Sequence, residues 1–246
     1  MAVLAYHKVD DRFELGLTTV SPTAFARQVA MLRENGYGTR DSSKPASGDQ
    51  KGIMLTFDDG YDCFYRNVVP CLNPIGWTAT VFVITDFIGR KNDWDLRLSV
   101  KPFVHMDEKQ LKEISKMGFE VGSHSCSHKD LTRLSRDQAS DELDHSKKRL
   151  EDLLGREVMS FSFPYGRHDG TAVTLAKEAG YSALFGLGSK VREGVIERTP
   201  VYRLDSIAAV KRKVEMNRVE ILKSDFIHSF ANVSALISGR NSEKLA

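Results

Sequence analysis

Short apolar runs alternate with helical stripes along most of this chain. Val3-Leu4-Ala5-Tyr6 predicts a buried strand. Ser21-Pro22 reads as an N-cap followed by proline at the first helical position, Phe25, Val29 and Leu32 share one face, and Gly36 closes the helix. Ser42 to Lys51 is polar and predicts a surface loop. Ile53 to Phe57 is the next strand, and a helix within Tyr61 to Val69 is expected to stop at Pro70. Thr78 to Ile84 is β-branched and apolar, a buried strand. The mixed stretch from Thr85 to His105, with Trp94 inside it, predicts a long loop of the functional kind. Asp107 and Gln110 form a capping-box pattern, with Leu111, Ile114 and Met117 as the buried stripe.

Phe119-Glu120-Val121 is a further strand. Ser135 with Gln138 caps a longer helix, whose stripe runs through Ala139, Leu143, Leu150 and Leu154 to Gly155. Phe161 to Phe163 is a short strand, Val173 to Ala179 a helix, and Tyr181 to Phe185 a strand. Helices are expected from Ser206 to about Met216 and over part of Val219 to Ile237. The repeated strand-then-helix order predicts α/β architecture with a parallel sheet, and a closed barrel would put its site at the C-terminal ends of the strands. A doubly wound open sheet would also place a site at strand ends.

Composition adds limits. The 246 residues are 41% hydrophobic, enough for one large core, so a single domain over 1–246 is expected, with a helical segment over about 206–246. Ile221, Phe226, Phe230, Val233 and Ile237 in that segment suit barrel closure or a dimer surface. A formal net charge of +2 gives no electrostatic reason to expect nucleic acid. No apolar run approaches the roughly 20 residues of a membrane span. The first residues lack the basic start and apolar stretch of a signal peptide, and the three cysteines have no metal-type spacing; together these suggest a cytoplasmic setting.

The chemistry lies just after strands. Asp58-Asp59-Gly60 ends one apolar run, His124-Ser125-Cys126-Ser127-His128 follows another, and Pro164-Tyr165-Gly166 follows a third. Each alone has a plain explanation. Asp and Gly suit turns, paired histidines are commonly hydrogen-bonded, and Pro-Tyr-Gly is a common turn. Together they supply two imidazoles and two carboxylates. One Asp and two His can hold a divalent ion while the other Asp remains as a base.

Thr56-Phe57-Asp58-Asp59-Gly60, His124-Ser125-Cys126-Ser127-His128 and Phe161-Ser162-Phe163-Pro164-Tyr165-Gly166 resemble the first three motifs of the polysaccharide deacetylase (NodB-homology, carbohydrate esterase family 4) domain. The resemblance runs from about Val3 to about Leu204 and includes the Tyr6-His7 start and Ser21-Pro22-x-x-Phe25. It implies a distorted (β/α) barrel with about seven parallel strands. It also implies metal-dependent removal of acetyl groups from an acetylated sugar or glycan. By position, Asp59, His124 and His128 would be metal ligands, Asp58 the general base, and the backbone N–H of Tyr165 an oxyanion donor. Zinc is the first ion expected, with cobalt, nickel, manganese and iron compatible with the same ligands.

The chain also departs from the family pattern. Ser162 stands where many members carry an arginine that tunes the base. Asp93-Trp94 matches the fourth motif loosely, and no late Leu-x-His supplies a general acid. His7, at the end of the first strand, is the candidate acid. Arg198 either approaches the base or substrate or forms a surface ion pair. His168 and Asp169 are candidates to line the sugar site; His105 and His228 are expected to be structural or at the surface, and His145 solvated. Two other readings are an amidase or imidase acting on a non-sugar C–N bond, and a carbohydrate-binding relative without turnover.

Overall fold

The computed structural model describes residues 1–12, 16–42, 51–92, 102–188 and 193–216. Trp94, Asp93, His228, the second C-terminal helix and most of the Ser42–Lys51 loop lie outside them.

Strand β1 (Ala2–Tyr6) is followed by the short β2 (Lys8–Val9) and β3 (Thr19–Val20), then α1 (Pro22–Glu34), β4 (Tyr37–Arg40) and β5 (Lys51–Phe57). Next come α2 (Val69–Leu72), β6 (Thr80–Val83), α3 (Glu108–Lys116), β7 (Glu120–Ser123), α4 (Arg136–Leu154) and β8 (Ser160–Ser162). The last elements are α5 (Gly170–Glu178), β9 (Ala183–Leu187), β10 (Val195–Pro200) and α6 (Ile207–Val214). The main sheet is parallel throughout and runs β1-β10-β9-β8-β7-β6-β5. Pairing of β5 back onto β1, from Ala2↔Ile53 to Tyr6↔Phe57, closes it into a seven-stranded barrel.

Strand β4 stands outside that ring. It pairs with the first half of β5, from Tyr37↔Lys51 to Arg40↔Met54, while β6 takes only Thr56 and Phe57 near the end of β5. The barrel is therefore distorted, because one edge of β5 is shared between two neighbours. The sequence pattern missed β4: Tyr37-Gly38-Thr39-Arg40 is half polar and lies at this split edge, not in the core.

Side chains alternate across the barrel wall as a two-residue period requires. Leu4, Tyr6, Leu55, Phe57, Val81, Val83, Phe161 and Leu184 face out, against Phe25, Val29 and Leu32 of α1, Leu111 and Ile114 of α3, Leu143 and Leu150 of α4, and Ala176 of α5. The inward positions form a small apolar cluster, Val3, Met54, Phe82 and Phe185. Above it the interior turns polar, and that change builds the site.

Local signals placed most helix starts. Ser21, Asp107, Ser135 and Ser206 accept N–H bonds at their helix starts, and both capping boxes form. Two expectations fail. Pro70 does not end its helix: Phe64–Val68 is a π-helical stretch, and Pro70 sits in the first turn of α2, where its missing N–H removes no bond. Met117 is 46% exposed, because α3 ends at Lys116 and the chain turns away before a third stripe residue can pack. No helix among the described residues is long and apolar enough to cross a membrane.

Candidate active site

The β5 ladder extends one residue past the strand, since Asp58 N–H donates to Tyr6 O at 2.9 Å. The two-residue period that turns Met54 and Thr56 inward therefore also turns Asp58 inward. The chain then breaks sharply, with φ +70° at Asp59 and again at Gly60. A left-handed non-glycine residue costs on the order of 1–2 kcal/mol, and here it swings the Asp59 carboxylate out over the rim. A side chain at position 60 would also crowd Val83, its built Cβ lying 3.2 Å from Cγ2.

His124 follows β7, with its N–H bonded to Val83 O at 2.9 Å. Its Nδ1 lies 2.7 Å from Ser162 O. A carbonyl can only accept, so Nδ1 carries the proton and Nε2 presents a lone pair. That Nε2 is 3.6 Å from Asp59 Oδ1, and His128 Nε2 is also 3.6 Å from it. His128 and Ser125 are left-handed, with φ +61° and +67°. Glu142 of α4 pins their loop by accepting the Cys126 and Ser127 N–H groups at 2.9 and 2.8 Å and the Ser127 hydroxyl. Glu142 lies on the buried stripe of α4 with Ala139, Leu143 and Ser146, and an acidic residue on that stripe was the signal that could have revealed it.

These three side chains fit a divalent ion. Their ligand atoms lie within 4.8 Å of one another, and all three residues are buried. Bonds of about 2.0–2.1 Å at a tetrahedral angle put ligand atoms about 3.4 Å apart, close to the spacing seen. Burial lowers the pKa of His124, and burial with the neighbouring His124 lowers that of His128 well below its ordinary value. Both imidazoles are thus in the neutral form that ligates. Among the described residues no other group of three such side chains comes together.

Asp58 stands apart from this group and has a partner the sequence left open. Arg198 of β10 is 1% exposed. Its Nη1 and Nη2 donate to Asp58 Oδ1 and Oδ2 at 2.7 and 2.9 Å. Nη1 also reaches Thr56 Oγ1 at 3.1 Å, Nη2 reaches Ser162 Oγ at 2.8 Å, and Nε reaches Gly186 O at 2.9 Å. The five donors of the guanidinium are matched by five contacts. Phe82 and Phe185 cover its face, with ring centres 5.3 and 6.0 Å from Cζ. Ser162 is small enough to leave this space and donates to Asp58 Oδ1 at 3.3 Å. Burial raises the Asp58 carboxyl pKa, but the charge of Arg198 and its hydrogen bonds outweigh it and hold the group well below the usual carboxylate range.

His7 follows β1 on the same rim. Burial pushes its pKa down to about 4, opposed by the Asp58 charge. Tyr165 has φ +59° in the Pro164–Gly166 turn, and its ring lies edge-on to His128 at 4.6 Å between centres. Arg167, next in the chain, pairs with Asp130 at 3.0 Å and so ties the third loop to the second. His168 instead pairs with Glu197 at 3.0 Å, and Asp169 caps α5. His145 is exposed and His105 is buried. Asp58, Asp59, His124, His128, Tyr165 and His7 thus come from four strand ends to one rim.

The polysaccharide deacetylase family model matches residues 46–184, more than half of the chain and all three motifs. The Bacillus subtilis (strain 168) protein YxkH is 29% identical over 188 residues, covering 74% of this chain and 62% of the relative. The poly-beta-1,6-N-acetyl-D-glucosamine N-deacetylase of Escherichia coli (strain K12) is 25% identical over 228 residues, covering 76% of this chain and 34% of the relative. The chain thus spans between about a third and three-fifths of the length of these relatives. The Streptococcus pyogenes deacetylase PplD, solved in complex with acetate, superposes with a TM-score of 0.74 at 22% identity, covering 87% of this chain and 97% of that one, a likeness of fold.

Proposed function

The chain belongs to the polysaccharide deacetylase family, and from that premise we propose that its rim site is a metal-dependent hydrolase centre removing acetyl groups from an N-acetylated glycan. The observation that carries this reading is the division of labour at the rim. Three buried side chains with ligand atoms close enough to hold one ion converge, while a fourth, Asp58, is held ionised beside them by a different partner.

Asp59, His124 and His128 would hold the ion, with zinc the first to test and cobalt, nickel, manganese and iron next. A divalent ion supplies Lewis acidity, acidifying water and polarising the amide carbonyl. Asp58 accepts the proton as water attacks. Its low pKa keeps it ionised but weakly basic, so it would act on water made more acidic by a bound ion. Arg198 holds both Asp58 oxygens and so fixes the plane of the carboxylate. The Tyr165 backbone N–H is the proposed oxyanion donor, since Pro164 has none to offer. His7 is the proposed acid. It is neutral near pH 7, so it first takes up a proton, for which Asp58 is the source, and then passes it from its imidazole nitrogen to the leaving amine. The products are acetate and a free amine.

The substrate proposed is an N-acetylglucosamine polymer, on the strength of the Escherichia coli relative's name. Ser162 in place of the usual arginine raised the reading of a binding domain without turnover; the Arg198–Asp58 pair weighs against it, because a guanidinium still reaches the base. The test is acetate release from β-1,6-linked N-acetylglucosamine oligomers by chelator-stripped protein with and without added zinc or cobalt. We expect activity only with metal, and Asp58→Asn to lower it by at least about a hundredfold while still binding the ion. Metal bound at full occupancy with no acetate from any acetylated sugar would overturn the proposal.

A further inference from the structure

The connection from β6 to α3 returns along the turn that carries Asp59. Val104–Met106 runs antiparallel to Asp59–Asp62, with Tyr61 and His105 forming a bridge. Asp62 N–H donates to Val104 O at 2.8 Å, and Met106 N–H donates to Gly60 O at 2.9 Å. His105 Nδ1 lies 2.8 Å from Asp59 O. That oxygen can only accept, so the N–H is on Nδ1. Two consecutive left-handed residues, Asp59 and Gly60, thus have their carbonyls caught by two consecutive residues of the returning arm.

The ring of His105 is fixed as firmly as its hydrogen bond. It is 2% exposed, stacks on Tyr61 at 4.6 Å and 29° between planes, and meets Phe87 at 5.4 Å. Its own N–H is bonded to Arg90 O at 2.9 Å. The arm is in turn held by Gly89 N–H to Met106 O at 2.9 Å and Asn92 N–H to Phe103 O at 2.7 Å. The turn's unfavourable backbone persists because this arm over-determines it.

We propose that His105 is a positioning residue for the metal site: its Nδ1–H holds the Asp59 peptide in the conformation that aims the carboxylate at His124 and His128, so the β6–α3 connection helps set metal affinity. The proposal rests on the reading of Asp59 as a metal ligand. Groups that orient a ligand typically change affinity about 10–100-fold when removed.

The experiment measures zinc dissociation constants of chelator-stripped proteins by competition with a chromogenic chelator, alongside thermal melts of the same metal-free samples. His105→Phe keeps an aromatic ring between Tyr61 and Phe87 but has no donor, and zinc binding is expected to weaken about 10–100-fold with little change in the metal-free melt. His105→Asn places an amide N–H where Nδ1 stood, and its affinity is expected to stay within about threefold of the unaltered protein. His105→Phe binding zinc as tightly as the unaltered protein overturns the proposal. If that variant does not fold, His105→Gln decides, because its amide sits one bond further out: equal affinities for the Asn and Gln variants overturn it. An unaltered protein that binds neither zinc nor cobalt defeats the metal-site reading itself, a result distinct from either of these.

Discussion

Arg198 shows how much one side chain can decide. A guanidinium with all its donors engaged, buried against Phe82 and Phe185, is stable only while Asp58 is there to balance its charge. Arg198→Met is expected to destabilise the fold by about 3–5 kcal/mol in urea denaturation, because it strands a buried carboxylate. Arg198→Met with Asp58→Asn should lose clearly less than the two single changes summed, and additivity would contradict the pairing. The sequence could not settle Arg198 because strand order, not spacing, puts β10 next to β1, one strand away from β5, where Arg198 reaches Asp58. His7 supplies a second prediction. Burial, opposed by the Asp58 charge, takes its pKa from the ordinary 6.5 to about 4, so between those values the unfolded chain binds more protons than the folded one. Stability of the metal-free protein is therefore complete above about pH 6.5 and falls as pH drops toward about 4, with His124 and His128 acting in the same direction. Urea midpoints at pH 7.5 and 5.0 should show this loss, and His7→Gln should lose less than the unaltered protein. A midpoint that rises on acidification contradicts the assignment.

Among the elements, the third-motif turn is closely packed against backbone. Gly166 has φ +65°, and a Cβ there would sit 2.3 Å from Leu187 Cβ and 2.9 Å from its N. Gly166→Ala is expected to cost about 1–3 kcal/mol and to lower kcat more than metal affinity, since it moves Tyr165 and not the ligands. A variant with normal kcat would remove Tyr165 from the proposed mechanism. Helix starts were legible here because a capping box is a contact over three residues. The π-helical stretch Phe64–Val68 was not, since its wider turn depends on how the segment packs on the barrel. β4 and β10 were harder for a related reason. Short strands carrying Arg40, Glu197 and Arg198 look like loops until their neighbours are known.

Closure of the barrel joins these elements to the site. The β1–β5 register puts His7 and Asp58 on one rim, and the β7–β8 neighbourhood lets His124 bond Ser162. An ion held by residues from two strand ends should therefore stabilise the folded chain alone. Zinc at about a hundred times its dissociation constant adds about 2.7 kcal/mol, or roughly 5–10 °C in Tm for a domain of this size. Scanning calorimetry should show that rise in the unaltered protein and lose it in Asp59→Asn and in His124→Ala. An equal rise in all three would place the ion elsewhere.

The alternation of apolar strands with capped helices, and three motifs at strand ends, determined the class of fold and marked Asp58, Asp59, His124 and His128 as the candidate site residues. Those features are local, and a sequence records local chemistry directly. Arg198 beside Asp58, Glu142 behind the histidine loop and His105 under Asp59 were decided only by the tertiary structure. Each acts across a long sequence separation, and no spacing rule states which strands and loops a closed barrel brings together.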